Sequence, residues 1–107
     1  MALRHQWHSQ AQIELEETLF YVFREFGERS FEKVYAEVEQ QVGQLCLFPD
    51  SGTHYKDLFY KGKEVKIVHI HQSSIIYYHD EETLFILAFG NNKKNDTDEM
   101  ATLSDDQ

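Results

Sequence analysis

At 107 residues and 12.7 kDa the chain has room for one hydrophobic core but not two. An apolar fraction of 41%, with 8 Phe, 6 Tyr and 1 Trp, excludes a disordered polymer. The net charge of −9 argues against a chain-wide electrostatic grip on nucleic acid, yet that charge is unevenly spread.

Residues 1–47 hold 4 basic and 8 acidic side chains and residues 96–107 hold 0 and 5, whereas residues 48–95 balance 6 against 6. The lysines of that balanced half fall in two clusters, Lys56/Lys61/Lys63/Lys66 and Lys93/Lys94, so a local positive patch is compatible with an acidic protein. No apolar run approaches the ~20 residues of a membrane span, and MALRHQWHSQ lacks a signal-peptide core. The expectation is a soluble cytoplasmic protein with no membrane partner. The lone Cys46 permits no internal disulfide and reads as a small buried hydrophobe.

In chain order, Leu3 to Trp7 is a short strand candidate that pairs with later strands. Ser9-Gln10-Ala11-Gln12 matches a capping box and opens a helix. Its apolar stripe is Leu15, Leu19, Val22 and Phe26, with Ala11, Thr18 and Phe23 beside it, and Gly27 ends it. Glu14, Glu16, Glu17 and Glu25 read as its solvated face. Ser30 is the expected cap of a second helix with the stripe Phe31, Val34, Tyr35, Val38, Val42 and Leu45. So short a connection, Gly27 to Arg29, predicts an antiparallel helical hairpin. Phe48-Pro49-Asp50-Ser51-Gly52 then turns the chain, and THYKDLFYKG (Thr53 to Gly62) has no clear period and reads as a polar, aromatic connection.

From Lys63 to Phe89 three strand-like runs follow, Val65 to Ile70, Ile75 to Tyr78 and Leu84 to Phe89, with breaks short enough only for hairpins. They are apolar at nearly every position, which predicts cover on both faces. The chain is therefore expected to be an α+β domain in two layers, β-α-α-β-β-β, a helical hairpin across a mainly antiparallel sheet of about four strands. Residues 1–95 form this single domain, and 96–107 form an acidic tail.

These features in this order resemble the RelE/ParE superfamily of toxins: the Trp7-His8-Ser9-Gln10-Ala11 strand-to-helix junction, the Tyr21…Phe26-Gly27 helix end, the Phe48-to-Gly52 turn, the Ile75-Ile76-Tyr77-Tyr78 strand, and Ile86-Leu87-Ala88-Phe89 before a polar, basic loop. The resemblance covers residues 1 to about 95 and rests on order and spacing, not on one motif. It implies the toxin half of a type II toxin–antitoxin module, once described as a plasmid stabilisation protein. Its expected partner is a cognate antitoxin whose extended segment wraps the toxin and docks a helix or strand. The implied target is DNA gyrase for a ParE-like member, or messenger RNA on the ribosome for a RelE-like one. No cofactor is expected, and a homodimer is compatible.

RelE-type cleavage needs a base for the 2′-hydroxyl, an acid for the leaving oxygen and cations for the phosphate. The candidates here are Lys66, His69, Lys93 and Lys94, with Lys56, Lys61, Lys63 and Tyr78 as target contacts. No arginine follows Arg29, and lysine lacks the bidentate fork of arginine, which favours ParE-like binding over cleavage. A non-toxic binding module of the same fold is the first alternative. A small metal enzyme is the second, since His69 and His71 share a strand face ~7 Å apart. With Gln72-Ser73 as the turn, His69 falls opposite Ile76. The aromatic residues Tyr55, Phe59 and Tyr60, interleaved with lysines, suit either a contact loop or a loop over a core. Asp96 to Asp106, opposite in sign to both lysine clusters, provides a further candidate contact to Lys63, Lys66, Lys93 and Lys94.

Overall fold

The computed structural model describes residues 2–70 and 73–91. Strand β1 (Arg4–Trp7) leads into helices α1 (Ser9–Phe26) and α2 (Glu28–Leu47), and strands β2 (Thr53–Tyr60), β3 (Lys63–Ile70), β4 (Ser73–His79) and β5 (Thr83–Asn91) follow. The strands form one sheet in the order β1-β5-β4-β3-β2. Only β1 runs parallel to its neighbour, with Arg4 opposite Thr83 and Trp7 opposite Ile86. The expected α+β architecture is present, with a fifth strand where Thr53–Tyr60 read as a connection.

That strand was hidden because its period breaks. Lys56 and Asp57 both take positive φ, 54° and 53°, and the β2–β3 register shifts between His54 and Phe59. The bulge puts Tyr55, Leu58 and Tyr60 in phase at spacings of three and two, a pattern of neither strand nor helix. It also explains the cover on both faces. The helices bury one face around Ile75, Tyr77, Leu84, Ile86 and Phe89, while Tyr55 and Leu58 join Val65, Ile76 and Ile67 in a second cluster on the other.

The helix ends differ from the capping expectations. α1 starts at Ser9 itself, its cap is extended His8, and no side chain closes it. Gln12 N–H donates to the His8 carbonyl while His8 N–H is held by the Ile86 carbonyl, so the sheet fixes the helix start. Ser30 lies inside α2, because Gly27 alone joins the two helices. Gly27 N–H donates to the Phe23 carbonyl, and the Gly27 carbonyl accepts from Phe31 N–H. With φ 95° and ψ 179° it occupies a region open essentially to glycine alone.

Nor does the α1 stripe bury along its whole length. Ala11, Leu15 and Leu19 are in the core, but Phe23 and Phe26 are 50% and 65% exposed. In α2 full burial begins only at Val38 and ends with Leu45 and Cys46. Glu14, expected on the solvated face, instead accepts a 2.9 Å hydrogen bond from Phe89 N–H and ties α1 to β5 beyond the end of β1. The β3–β4 register is also shifted from the expectation, since Ile70 lies opposite Ser73 and His69 opposite Ser74 and not Ile76. No described helix is long and apolar enough to cross a membrane.

Candidate functional site

Three surfaces carry chemistry. The first lies at the end of the helix-covered face, where the α2–β2 turn crosses β3 and β4. Lys66, opposite Tyr77, is 8% exposed, and an ammonium so buried requires counter-charges. It finds Glu64 at 3.2 Å and Asp50 at 4.0 Å. His79 Nε2 meets Asp50 Oδ1 at 2.9 Å, its Nδ1 lies 2.9 Å from the Asp80 carbonyl, and His54 pairs with Glu64. The hydrogen bond from His79 holds the Asp50 carboxyl below the ordinary carboxylate value, with smaller help from the charges of His79 and Lys66 against the burial that opposes it.

Beneath this network the buried Tyr77 hydroxyl donates to the Pro49 carbonyl at 2.8 Å and accepts from Gly52 N–H at 3.1 Å. Burial pushes its phenol up to about 12. A cavity of about 440 Å³ opens here between Pro49, Asp50, Lys63, Glu64, Lys66 and His79. Its carboxylates offset its lysines, so it does not present a free positive field to a phosphate.

The second surface is the opposite sheet face. Tyr78 stacks on Phe85 with centroids 4.8 Å apart, Tyr60 leans on Tyr78 at 5.0 Å, and His8 meets Tyr60 edge-on at 5.9 Å. Tyr78 is only 4% exposed, whereas Tyr60 is at the surface with Lys61 Nζ 5.6 Å from its ring centroid. Lys56 stands likewise over Tyr55, so these two lysines are drawn to their own aromatic neighbours.

The third is the far half of the helical hairpin. Phe20, Tyr21, Phe23, Phe26 and Tyr35 are 43–65% exposed; Tyr21 meets Phe26, Phe23 meets Phe31, which stacks on Tyr35, and Phe20 lies under the Arg24 guanidinium. Between this ridge and the sheet end lies a groove of about 400 Å³ lined by Tyr21, Val22, Phe26, Val34, Ile70 and Phe89. Exposed aromatics clustered in this way have the composition of protein-contact surfaces.

The expected site residues are not gathered in one place. Lys66 and His69 are three positions apart on β3 and face opposite sides of the sheet; His69 Nδ1 is 2.9 Å from Ser74 Oγ near the far hairpin. Lys63 lines the first cavity, while Lys56, Lys61 and Tyr78 belong to the second surface. Lys93, Lys94, His71 and the acidic tail lie outside the described residues. Among the described residues no group of three or more His, Cys, Asp or Glu is placed to hold a metal ion. The sequence did not single out Asp50, Glu64 or His54, and it bore on His79 only as a residue too distant to join His69 and His71, although a lysine inside an apolar strand run is itself a signal that carboxylates must converge on it.

No family model matches the sequence, and no curated protein matches it closely enough to count. Among solved structures the chain is similar to one described as the chromosomal ParDE TA system from P. aeruginosa, with a TM-score of 0.63 and 14% identity over 84% of this chain and 96% of that one. The fold is RelE/ParE-like.

Proposed function

We propose that the chain is the toxin of a two-protein toxin–antitoxin module of the cytoplasm, that its antitoxin covers the aromatic ridge of the helical hairpin, and that it acts by binding DNA gyrase and not by cutting RNA. The observation that carries the module reading is the shared fold with the ParDE structure over 84% of the chain. The ridge supports a protein partner, because Phe20 and Phe26 alone stand 64% and 65% exposed to water. Binding is favoured over cleavage by the state of Lys66 and His69. One is held by two carboxylates, the other is on the opposite face, and general acid–base chemistry needs such groups within reach of one phosphate.

Expression of the chain alone from a tightly repressed promoter, with parallel labelling of protein and DNA synthesis, tests this. Growth arrest with DNA damage and filamentation is the expected result. Arrest with an immediate fall in protein synthesis would replace gyrase by the ribosome, and unaffected growth would replace the toxin by an inactive binding module.

A further inference from the structure

The apolar stripes of the helical hairpin run past the end of the sheet. Where α1 and α2 overhang it, Tyr21, Val22, Phe26 and Val34 line the groove of about 400 Å³ together with Ile70 and Phe89. Val22, Phe26 and Val34 belong to the stripes that helical spacing turns towards a core, and the described residues leave this part of them open.

The chain itself leaves the sheet at this point. β5 ends with Asn91 opposite Ser73, and both Ser73 and Phe89 line the groove. Residues 92–107 follow, outside the described residues, and Met100 and Leu103 are the only bulky apolar side chains among them. Reach is ample, because the hairpin extends about 16 Å from Val38 to Gly27, whereas the chain from Asn92 to Met100 spans up to about 30 Å. Charge also runs in matching order. Glu37 is the one carboxylate lining the groove, and Lys33, the one lining cation, stands a helical turn nearer to Gly27. After β5 the sequence presents Lys93 and Lys94 first and Asp96, Asp98 and Glu99 next, so lysines beside Glu37 bring the acids towards Lys33. Lys63 and Lys66, the partners that charge alone suggested for these acids, lie towards the opposite end of β3, and Lys66 is already held by Glu64 and Asp50.

We propose that, in the free chain, residues 92–107 turn back from the end of β5 into this groove, seating Met100 and Leu103 against Val22, Phe26 and Val34 and setting the acids beside Lys33. A segment tethered so close docks at an effective concentration on the order of millimolar, which lets two apolar side chains hold the groove. The tail then covers the groove until another protein takes its place; that consequence, unlike the docking itself, rests on the toxin–antitoxin reading.

The test uses the full free chain and needs no partner. Phe26→Cys with Leu103→Cys, oxidised at low micromolar concentration, closes a disulfide within one chain at least about tenfold faster than Phe59→Cys with Leu103→Cys. Phe26 and Phe59 are 65% and 68% exposed, so both changes leave the core intact, and Cys46 is buried away from the reaction. Lys33→Glu slows the closure by about threefold to tenfold, with a difference that shrinks at high salt. Met100→Asp with Leu103→Asp speeds amide exchange at Val22 and Val34 at least about threefold and leaves Ile75 and Tyr77 in β4 unchanged. Equal closure by the two cysteine pairs, with exchange at Val22 and Val34 unmoved by the aspartates, would overturn the inference. Disulfides formed only between chains, at a rate that rises with concentration, would give the groove to a second copy and overturn it as well. Neither result touches the toxin–antitoxin reading, which fails separately if expression leaves growth unaffected.

Discussion

Tyr77→Phe removes one oxygen and tests how the turn over the first cavity is held. The hydroxyl satisfies the Pro49 carbonyl and the Gly52 N–H together, at 2.8 and 3.1 Å. Leaving both without a partner costs about 2 kcal/mol, which for a domain of this size lowers the melting temperature by roughly 8–15 °C. The phenol adds a pH signature. Its value rises from 10.0 to about 12 on folding because the neutral form is buried. Above pH 10 the unfolded chain gives up this proton while the folded chain keeps it, so the contribution is complete below pH 10 and is lost as pH climbs towards 12. At about 1.4 kcal/mol per unit, the loss by pH 11 is about 1.4 kcal/mol, most of the roughly 2 kcal/mol contribution. Urea denaturation of both proteins at pH 8, 10 and 11 should show the gap between them closing with pH. A gap that stays constant across that range would refute the reasoning. A second arm uses Gly52, whose Cβ would stand 2.5 Å from the Tyr77 hydroxyl and 3.0 Å from the Ile67 carbonyl. Gly52→Ala should therefore destabilise the natural chain by about 1 kcal/mol more than it destabilises Tyr77→Phe.

The other predictions concern the surfaces in turn. Asp50→Asn should remove an acid-dependent component of stability: His79 lowers the Asp50 value on folding, so its contribution is present above 3.8 and disappears as pH falls through the lower folded value. Urea midpoints for the two proteins should differ at pH 6 and converge below pH 3.8; parallel profiles would sink the idea. Cys46 is 4% exposed and burial raises its thiol, so an aromatic disulfide reagent should label it only as fast as the domain opens, and rapid labelling of the native chain would contradict its place in the core. Phe20→Ser combined with Phe26→Ser should move the melting temperature by no more than about 3 °C, since both rings are mostly in water, while weakening the complex with the proposed antitoxin at least about tenfold by titration calorimetry. Unchanged affinity would remove the ridge from the interface.

The sequence carried the fold because its long elements obey simple periods. The stripe from Ala11 to Leu19, the stripe from Val38 to Leu45 and the three apolar strands are all in the core. It failed where a local feature broke the period. Two positive-φ residues shifted the phase of β2, and His8 began α1 through a backbone bond to β5 that no side-chain motif announces. Phe26 kept the helical spacing but lies past the part of the sheet that α1 covers, and periodicity reports which face is apolar without reporting what stands opposite. The site was less legible still, because it depends on residues far apart in the chain. Asp50 and His79 are separated by 29 positions, and no spacing rule relates a turn to the end of a distant strand.

Lys66 shows how that distance changes a functional argument. In the sequence it is one of four clustered lysines and a candidate for offsetting phosphate charge. In the fold its ammonium lies among Glu64 and Asp50, while His54 and His79 hold those same carboxylates in place. A phosphate entering this cavity would have to displace two carboxylates from a buried cation and meet them as like charges. The same cluster joins the α2–β2 turn to β3 and β4, so Lys66 serves to fasten the turn where the helices end. Growth inhibition that survives Lys66→Met, in a chain whose expression level and melting curve are matched to the natural protein, is what a binding toxin requires, whereas RNA cleavage through Lys66 would abolish it.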